Sequence, residues 1–217
     1  MQGLPAHVGL IPDGLRRWAE ANGATLAEAY LRGAEKVTEI LVALQRDGVR
    51  TVSVYNLSRA NLARPEHELA AVYAASVQFF TTLIPDHFDP HNCTVRLHGD
   101  RSLLPETYLA AASALEAAMQ GDGFLINILA PYDAGDELRA AQLRAQRDGC
   151  DITDAFEIDS VDLVIRTTPE ALLSGFLPMQ SQYARLVFLT TPLNDLTGTD
   201  ITDVVAEYRD SPQLRGR

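Results

Sequence analysis

Lysine is nearly absent: Lys36 is the single one, although Lys and Arg together number 18. The basic side of the chain is therefore arginine. Positive charge is also scarce overall. Asp and Glu number 29, which gives a formal net charge of −11 over 217 residues. A general nucleic-acid binder needs a basic face to meet phosphate, and this composition argues against one. It argues equally against a polybasic membrane anchor. Cysteines are two, Cys93 and Cys150. They show no CxxC or Cys/His spacing and are too few for a disulfide framework, so a reduced, cytoplasmic protein with two filler thiols is expected. No stretch approaches the roughly 18 apolar residues of a membrane span. Residues 1–7 carry neither a basic n-region nor an apolar h-region, so no signal peptide is expected. Internal repeats and low-complexity segments are missing too.

What remains is an ordinary globular composition, 47% hydrophobic and 22% charged. The length suits one domain, and residues 1–217 are read as a single one. A small anionic substrate stays possible, because a local arginine cluster can sit inside an acidic surface. Arginine's fixed fork of donors matches phosphate oxygens.

Apolar runs and helical spacings alternate along the chain. Strands are expected at His7 to Ile11, Arg50 to Tyr55, Cys93 to His98, Gly123 to Leu129, Val161 to Ile165 and Arg185 to Leu189. Helices are expected from Arg16 to Ala21, Thr25 to Arg46, Arg64-Pro65 to about Thr82, Pro105 to Met119, Glu137 to Arg147 and Ile201 to Arg209. The alternation predicts an α/β domain with a central, mostly parallel six-stranded sheet flanked by helices. Ligands of such sheets bind beyond the C-terminal ends of strands. That rule selects three segments.

The first is Pro12 to Trp18. Gly14 after a strand allows close backbone approach, and a helix N-terminus favours an anion. Arg16 and Arg17 add direct contacts. Asp13 beside an anion site makes sense if Mg2+ lies between them, since that ion is held by one or two carboxylates plus substrate oxygens. Taken alone, Asp13-Gly14 reads at least as well as a strand-to-helix turn with exposed arginines. The second segment is Tyr55 to Pro65. If it is coiled, Ser58, Asn61 and Arg64 share a face; taken alone, a loop with a helix cap at Asn61 is favoured. The third is Ile165 to Ser174, where Arg166 follows a buried strand and must find a partner.

Together the segments resemble a known family. HVGLIPDGLRRWA from His7 resembles the HxxxIMDGNxRWA signature of cis-prenyltransferases, the undecaprenyl diphosphate synthase family. YNLSRANLARP from Tyr55 is similar to its YxFSxENWxRP, FLINILAPY from Phe124 to its LxxNxAxxY, and VDLVIRTTPEALLSGF from Val161 to its DLxIRTxGExRxSNF. The resemblance implies the cis-prenyltransferase fold, isoprenoid diphosphate substrates, a Mg2+ cofactor and a homodimer. It implies that Asp13 holds Mg2+ and is catalytic with Ser58 and Asn61. Gly14, Leu15, Arg16, Arg17, Tyr30 and Arg64 fall where the family binds the allylic diphosphate. Arg166, Leu172 and Ser174 fall where it binds the second diphosphate.

The departures from the pattern cluster. Leu15 replaces an asparagine, Ala60 a glutamate, Leu62 a tryptophan, Tyr30 a histidine and Gly175 an asparagine. Leu26 and Leu172 replace arginines. Arg185 stands for a metal-holding glutamate and is expected in or near the pocket. Asn56 replaces a small tunnel residue, and Tyr73, Phe79 and Phe80 add bulk on the helix that would wall the tunnel, unless they are plain core. The resemblance then implies a short C10 product, made by joining two dimethylallyl diphosphates head to middle, of lavandulyl or cyclolavandulyl type. Two alternatives stand beside it. One is a regular short-chain synthase using isopentenyl diphosphate. The other is a non-catalytic partner subunit, to which the tail Leu214 to Arg217 bears a faint likeness and against which the retained Asp13 counts.

Overall fold

The computed structural model describes residues 3–211; the tail motif Leu214 to Arg217 lies outside the described residues. Six strands form one sheet in the order β3-β4-β2-β1-β5-β6, and every pairing is parallel. They are β1 (His7–Ile11), β2 (Thr51–Tyr55), β3 (Cys93–His98), β4 (Phe124–Leu129), β5 (Leu163–Arg166) and β6 (Arg185–Phe188). Expectation had the sheet mostly parallel; it is wholly so. Connections that include helices supply the crossovers that parallel strands require.

Among the described residues seven α-helices flank the sheet: α1 (Leu15–Asn22), α2 (Leu26–Arg46), α3 (Glu66–Gln78), α4 (Ile84–His87), α5 (Glu106–Ala118), α6 (Ala134–Asp148) and α7 (Gly198–Asp210). The long helix expected to run to about Thr82 is broken. After Gln78 the backbone widens into a π turn, Phe79–Leu83, before α4. Pro85 in the first turn of α4 has no N–H to continue an α ladder. Helix α6, expected as a polar helix from Glu137, starts three residues earlier, at Ala134. The Asp133 carboxylate accepts from the Gly135 and Asp136 amides and fixes that start. Thr25 with Glu28, and Thr197 with Asp200, cap α2 and α7 reciprocally.

The two faces of the sheet bury different cores. Val8, Leu10, Val52, Val54, Ile126 and Ile128 point into the larger one, with residues from α2, α3, α5 and α7. Ile11, Leu129 and Val164 meet Phe176, Ile158 and Tyr132 in a smaller one. Strand β1 is buried at all five positions, as expected of a central parallel strand. Gly9 is required there by contact rather than by φ: a Cβ would lie 2.5 Å from the Phe176 ring.

A row of polar side chains crosses the smaller-core face. The His7 imidazole meets the Ser160 carbonyl at 3.2 Å through Nδ1, and Ser53 Oγ at 2.8 Å through Nε2. Asn127 Nδ2 donates to Ser53 Oγ at 3.2 Å, and Asn127 Oδ1 faces His98 Nε2 at 3.0 Å. The carbonyl can only accept, so His7 donates from Nδ1 and Nε2 accepts from Ser53. His98 then donates to Asn127. Two residues of the family-like motifs, His7 and Asn127, are thus spent on joining strands. Cys93 and Cys150 are both free thiols, and burial pushes that of Cys93 up to about 12. Among the described residues, no helix is long and apolar enough to cross a membrane.

Burial lowers the pKa of His7 below its ordinary 6.5, more than its bond to Ser160 raises it. In the acid range the unfolded chain therefore binds a proton that the folded chain refuses. The stability due to neutral His7 is complete above pH 6.5 and is lost as pH falls toward the folded value. Thermal midpoints measured from pH 7 to pH 5 should fall less steeply in His7→Gln than in the parent chain. Equal slopes would refute this.

Candidate active site

A cavity of about 660 Å3 opens where β1, β2 and β5 end, the position expected for a ligand of a parallel sheet. Its mouth is charged and its depth apolar. Asp13, Arg16, Arg17, Arg64, Arg166 and Glu170 line the mouth, while Val37, Val54, Val72, Ala75, Phe79 and Ile128 line the interior. The size suits a small molecule, for which pockets run roughly 300–1,000 Å3.

Arg166 organises the mouth. It ends β5, is only 7% exposed, and is held on every side. Its Nη2 donates to Asp13 Oδ2 at 2.6 Å, its Nε to Thr168 Oγ1 at 3.1 Å, and its Nη1 to Ser174 Oγ at 3.1 Å and to the Leu172 carbonyl. A buried guanidinium without such partners would cost several kcal/mol, roughly the desolvation penalty of one ion. Ser174 occupies a left-handed conformation, φ 52, to bring its hydroxyl there. Its carbonyl accepts from the Tyr55 hydroxyl at 3.1 Å.

The β1–α1 turn is locked to the same segment. The Asp13 amide donates to Thr167 Oγ1, and that hydroxyl donates back to the Asp13 carbonyl, both at 2.8 Å. Gly14 takes φ 93, a region that L side chains avoid, and donates to Asp13 Oδ1 at 2.6 Å. Leu15, in place of the family's asparagine, turns inward: a Cβ on Gly33 would lie 2.4 Å from its Cδ2. Arg17 grips Glu170 with two bonds of 2.5 and 3.0 Å.

The opposite wall centres on Glu68, which the sequence reading missed. This carboxylate is 4% exposed. Its Oε1 accepts from the Tyr30 hydroxyl at 3.1 Å, pairs with Arg64 Nη1 at 3.0 Å and faces Arg16 Nε at 3.8 Å. Arg64 Nη1 also donates to the Tyr30 hydroxyl at 3.1 Å. Burial pushes the Tyr30 phenol up to about 12, with Arg64 opposing and Glu68 adding to the rise, so it stays protonated. The i,i+4 spacing of Arg64 and Glu68 was a legible signal for this pair.

Ser58 and Asn61 both line the cavity. Ser58 precedes a 3-10 turn, Arg59–Ala63, and Asn61 is its third residue; they form a reciprocal cap, in which Asn61 N donates to Ser58 Oγ and Ser58 N to Asn61 Oδ1, both at 3.1 Å. The cap residue is Ser58, where the loop reading had put Asn61. Also in the lining, Asn56 Oδ1 accepts from the Tyr108 hydroxyl at 2.9 Å, and Asn56 Nδ2 donates to Ser76 Oγ at 3.2 Å. Tyr73 and Phe80 pack edge-on against the Tyr108 ring. Of the three expected bulky wall residues, Phe79 lines the cavity, while Tyr73 and Phe80 stand behind it against Tyr108.

Two residues are not brought into the cavity. The Leu172 side chain is 61% exposed, and only its carbonyl serves the site, through Arg166. Arg185 corrects the expectation that it falls in or near the pocket. It starts β6 opposite Leu163, at the end of the sheet away from the cavity, and donates to the Glu207 carbonyl at 3.3 Å.

Among the described residues no group of three or more His, Cys, Asp or Glu is placed to hold a metal alone. The donor set fits a different kind of cation. Asp13 has a side chain 39% exposed at an arginine-lined mouth. One carboxylate of this kind suits a divalent ion that takes its other ligands from a bound molecule's oxygens and water.

A prenyltransferase family model, described as undecaprenyl diphosphate synthase, matches residues 11–216. An isoprenyl transferase of Streptococcus pyogenes serotype M3 is 27% identical over 235 residues, covering 99% of this chain and 94% of that protein. One of Streptococcus agalactiae serotype III is 28% identical over 228 residues, covering 96% and 91%. The crystal structure of lavandulyl diphosphate synthase from Lavandula x intermedia, in complex with dimethylallyl diphosphate, superposes with a TM-score of 0.89 at 24% identity, covering 99% of each chain. A probable undecaprenyl diphosphate synthase from Campylobacter jejuni superposes at 0.79 with 20% identity, covering 100% of each chain. Both share this fold.

Glu68→Gln keeps the shape and removes the charge that gathers Arg16, Arg64 and Tyr30. Urea unfolding should show a loss of about 1.5–3 kcal/mol, the scale of one charged hydrogen bond. An unchanged midpoint would mean that Glu68 does not anchor this wall.

Proposed function

The chain belongs to the undecaprenyl diphosphate synthase family of prenyltransferases, and from that premise we propose that it is a Mg2+-dependent synthase of a C10 prenyl diphosphate. It joins two dimethylallyl diphosphates head to middle, giving a lavandulyl or cyclolavandulyl type of product. The observation that supports the chain length is the polar cluster in the apolar lining: Asn56, tied to Tyr108 and Ser76, stands in the cavity among Val72, Ala75, Phe79 and Ile128. A longer prenyl tail would have to displace hydrogen-bonded polar groups or aromatic rings there.

The second diphosphate subsite supports the irregular joining. Arg166 and Ser174 remain in it, but Leu172 contributes no charge and Arg185 stands at the other end of the sheet. An extender clamped with one arginine fewer is free to take another pose. Dimethylallyl diphosphate, held by the plant protein whose fold this chain shares, is the substrate proposed for both positions.

The chemistry balances as follows. The C1–O bond of one molecule breaks, and its diphosphate leaves with the electron pair. The double bond of the second molecule forms a new carbon–carbon bond from its middle carbon to that C1. The tertiary cation left on the second molecule loses a proton. Arg16, Arg17 and Arg64 face the charge that grows on the leaving group. Asp13 would hold Mg2+ on the same oxygens; when bound, the ion neutralises charge on the leaving diphosphate. Ser58 and Asn61, locked to each other, orient the reacting carbons at the junction of mouth and chamber. Val37, Val54, Val72 and Ile128 keep water from the cation. Burial pushes the Tyr30 and Tyr55 phenols up to about 12, so neither is a base at neutral pH. The departing diphosphate takes the proton. A homodimer in the cytoplasm completes the reading, as the family resemblance implies.

Incubation with Mg2+ and dimethylallyl diphosphate alone should yield a C10 diphosphate, identified by mass spectrometry and NMR, and Asp13→Ala should not produce it. Turnover only after isopentenyl diphosphate is added would replace this reading with regular elongation. Unchanged function in Asp13→Ala would replace it with a non-catalytic partner subunit.

A further inference from the structure

Four arginines at the mouth each face a carboxylate before any ligand arrives. Arg64 and Arg16 face Glu68, Arg166 holds Asp13, and Arg17 holds Glu170. The carboxylates differ in one decisive respect. The side chain of Glu68 is 6% exposed, that of Asp13 39% and that of Glu170 44%. A diphosphate can draw an arginine from a carboxylate only if the carboxylate left behind finds other solvation. Glu68 is buried and would be stranded, so its arginines keep it when they meet a ligand. Glu170 stands in water already, and an exposed ion pair is held only weakly.

The shape of the Arg17–Glu170 pair matches that of a ligand contact. Both carboxylate oxygens sit in the guanidinium fork, at 2.5 and 3.0 Å, the two-pronged geometry in which arginine also grips phosphate. The pair joins the first turn of α1 to the segment after β5, across the opening of the cavity. We infer that Glu170 is an internal stand-in for a substrate phosphate, occupying Arg17 in the ligand-free chain and yielding it when a diphosphate enters. This rests on the reading of the mouth as a diphosphate site.

Its consequence is competition. Hydrogen bonds from Arg17 first, then its own backbone and Thr168, hold the Glu170 carboxyl down to about 2, so it is charged throughout the neutral range. A ligand that needs Arg17 binds with its intrinsic affinity reduced by the fraction of time the fork is free. The same carboxylate re-enters the fork when the product or free diphosphate loosens. Glu170 is thus a positioning residue acting through Arg17. It weakens binding, and thereby favours release of an anion that the remaining arginines would otherwise retain.

The test is calorimetric binding of inorganic pyrophosphate, at one ionic strength, to the full chain and to Glu170→Gln, Arg17→Gln and the double variant. Glu170→Gln should bind about five-fold more tightly, a modest shift suited to freeing one weakly occupied group. Arg17→Gln should bind more weakly, and the double variant should match Arg17→Gln, because Glu170 then has nothing to compete for. With substrate, Glu170→Gln should lower KM, a change that mere loss of loop order would not give. Glu170→Ala should act in the same direction. If Glu170→Gln binds equally or more weakly while Arg17→Gln loses affinity, the inference is overturned and the diphosphate site stands. If the parent chain and Arg17→Gln bind pyrophosphate alike, the diphosphate reading itself fails.

Discussion

The buried guanidinium of Arg166 is the constraint on which the site depends. A cation at the end of a central strand has to be solvated by protein, and four groups do it: Asp13, Thr168, Ser174 and the Leu172 carbonyl. Meeting that demand draws the β1–α1 turn against the segment after β5. It fixes the Asp13 carboxylate beside Gly14, and it forces Ser174 and Gly175 into left-handed backbone. Tyr55 then closes the third side by donating to Ser174. Three strand ends are thereby tied into one mouth by the needs of a single charge.

The bulk charge of −11 and the arginine-lined mouth are two sides of one design. Each mouth arginine is balanced locally, and the balancing carboxylates are graded by burial. Glu68 fixes one wall permanently. Asp13 and Glu170 stand partly in water, where an incoming anion can rearrange them. A site with those properties holds its arginines in place without a ligand and still admits a polyanion, whereas an uncompensated cluster of four cations would repel itself apart.

Much of this was readable from residues, for stated reasons. Strand β1, buried on both faces, shows as an unbroken apolar run, and the edge strand β3 as an alternation of inward apolar and outward polar residues, so both were placed to the residue. The three strand ends picked out by the rule for parallel sheets do border one cavity. Other features depend on contacts between distant segments. No spacing announces that Leu172 serves through its carbonyl, since any residue offers one. Arg185 aligns with a functional position in the family, but alignment does not report which end of a strand a side chain stands on. Asn56 stood out by likeness alone, and its partner Tyr108 lies 52 residues away. The break after Gln78 escaped the helical reading because Phe79 and Phe80 continue the apolar spacing through it.

The central claim is that this mouth is built for a diphosphate that brings its cation with it, Asp13 being one ligand among oxygens the protein does not own. Calorimetric titration of Mg2+ into the chain, with and without inorganic pyrophosphate, tests it most directly. Mg2+ should bind too weakly to measure at micromolar protein without pyrophosphate, and the two should bind tightly together. Tight binding of Mg2+ alone, or pyrophosphate affinity that Mg2+ leaves unchanged, would show that the mouth is not such a site.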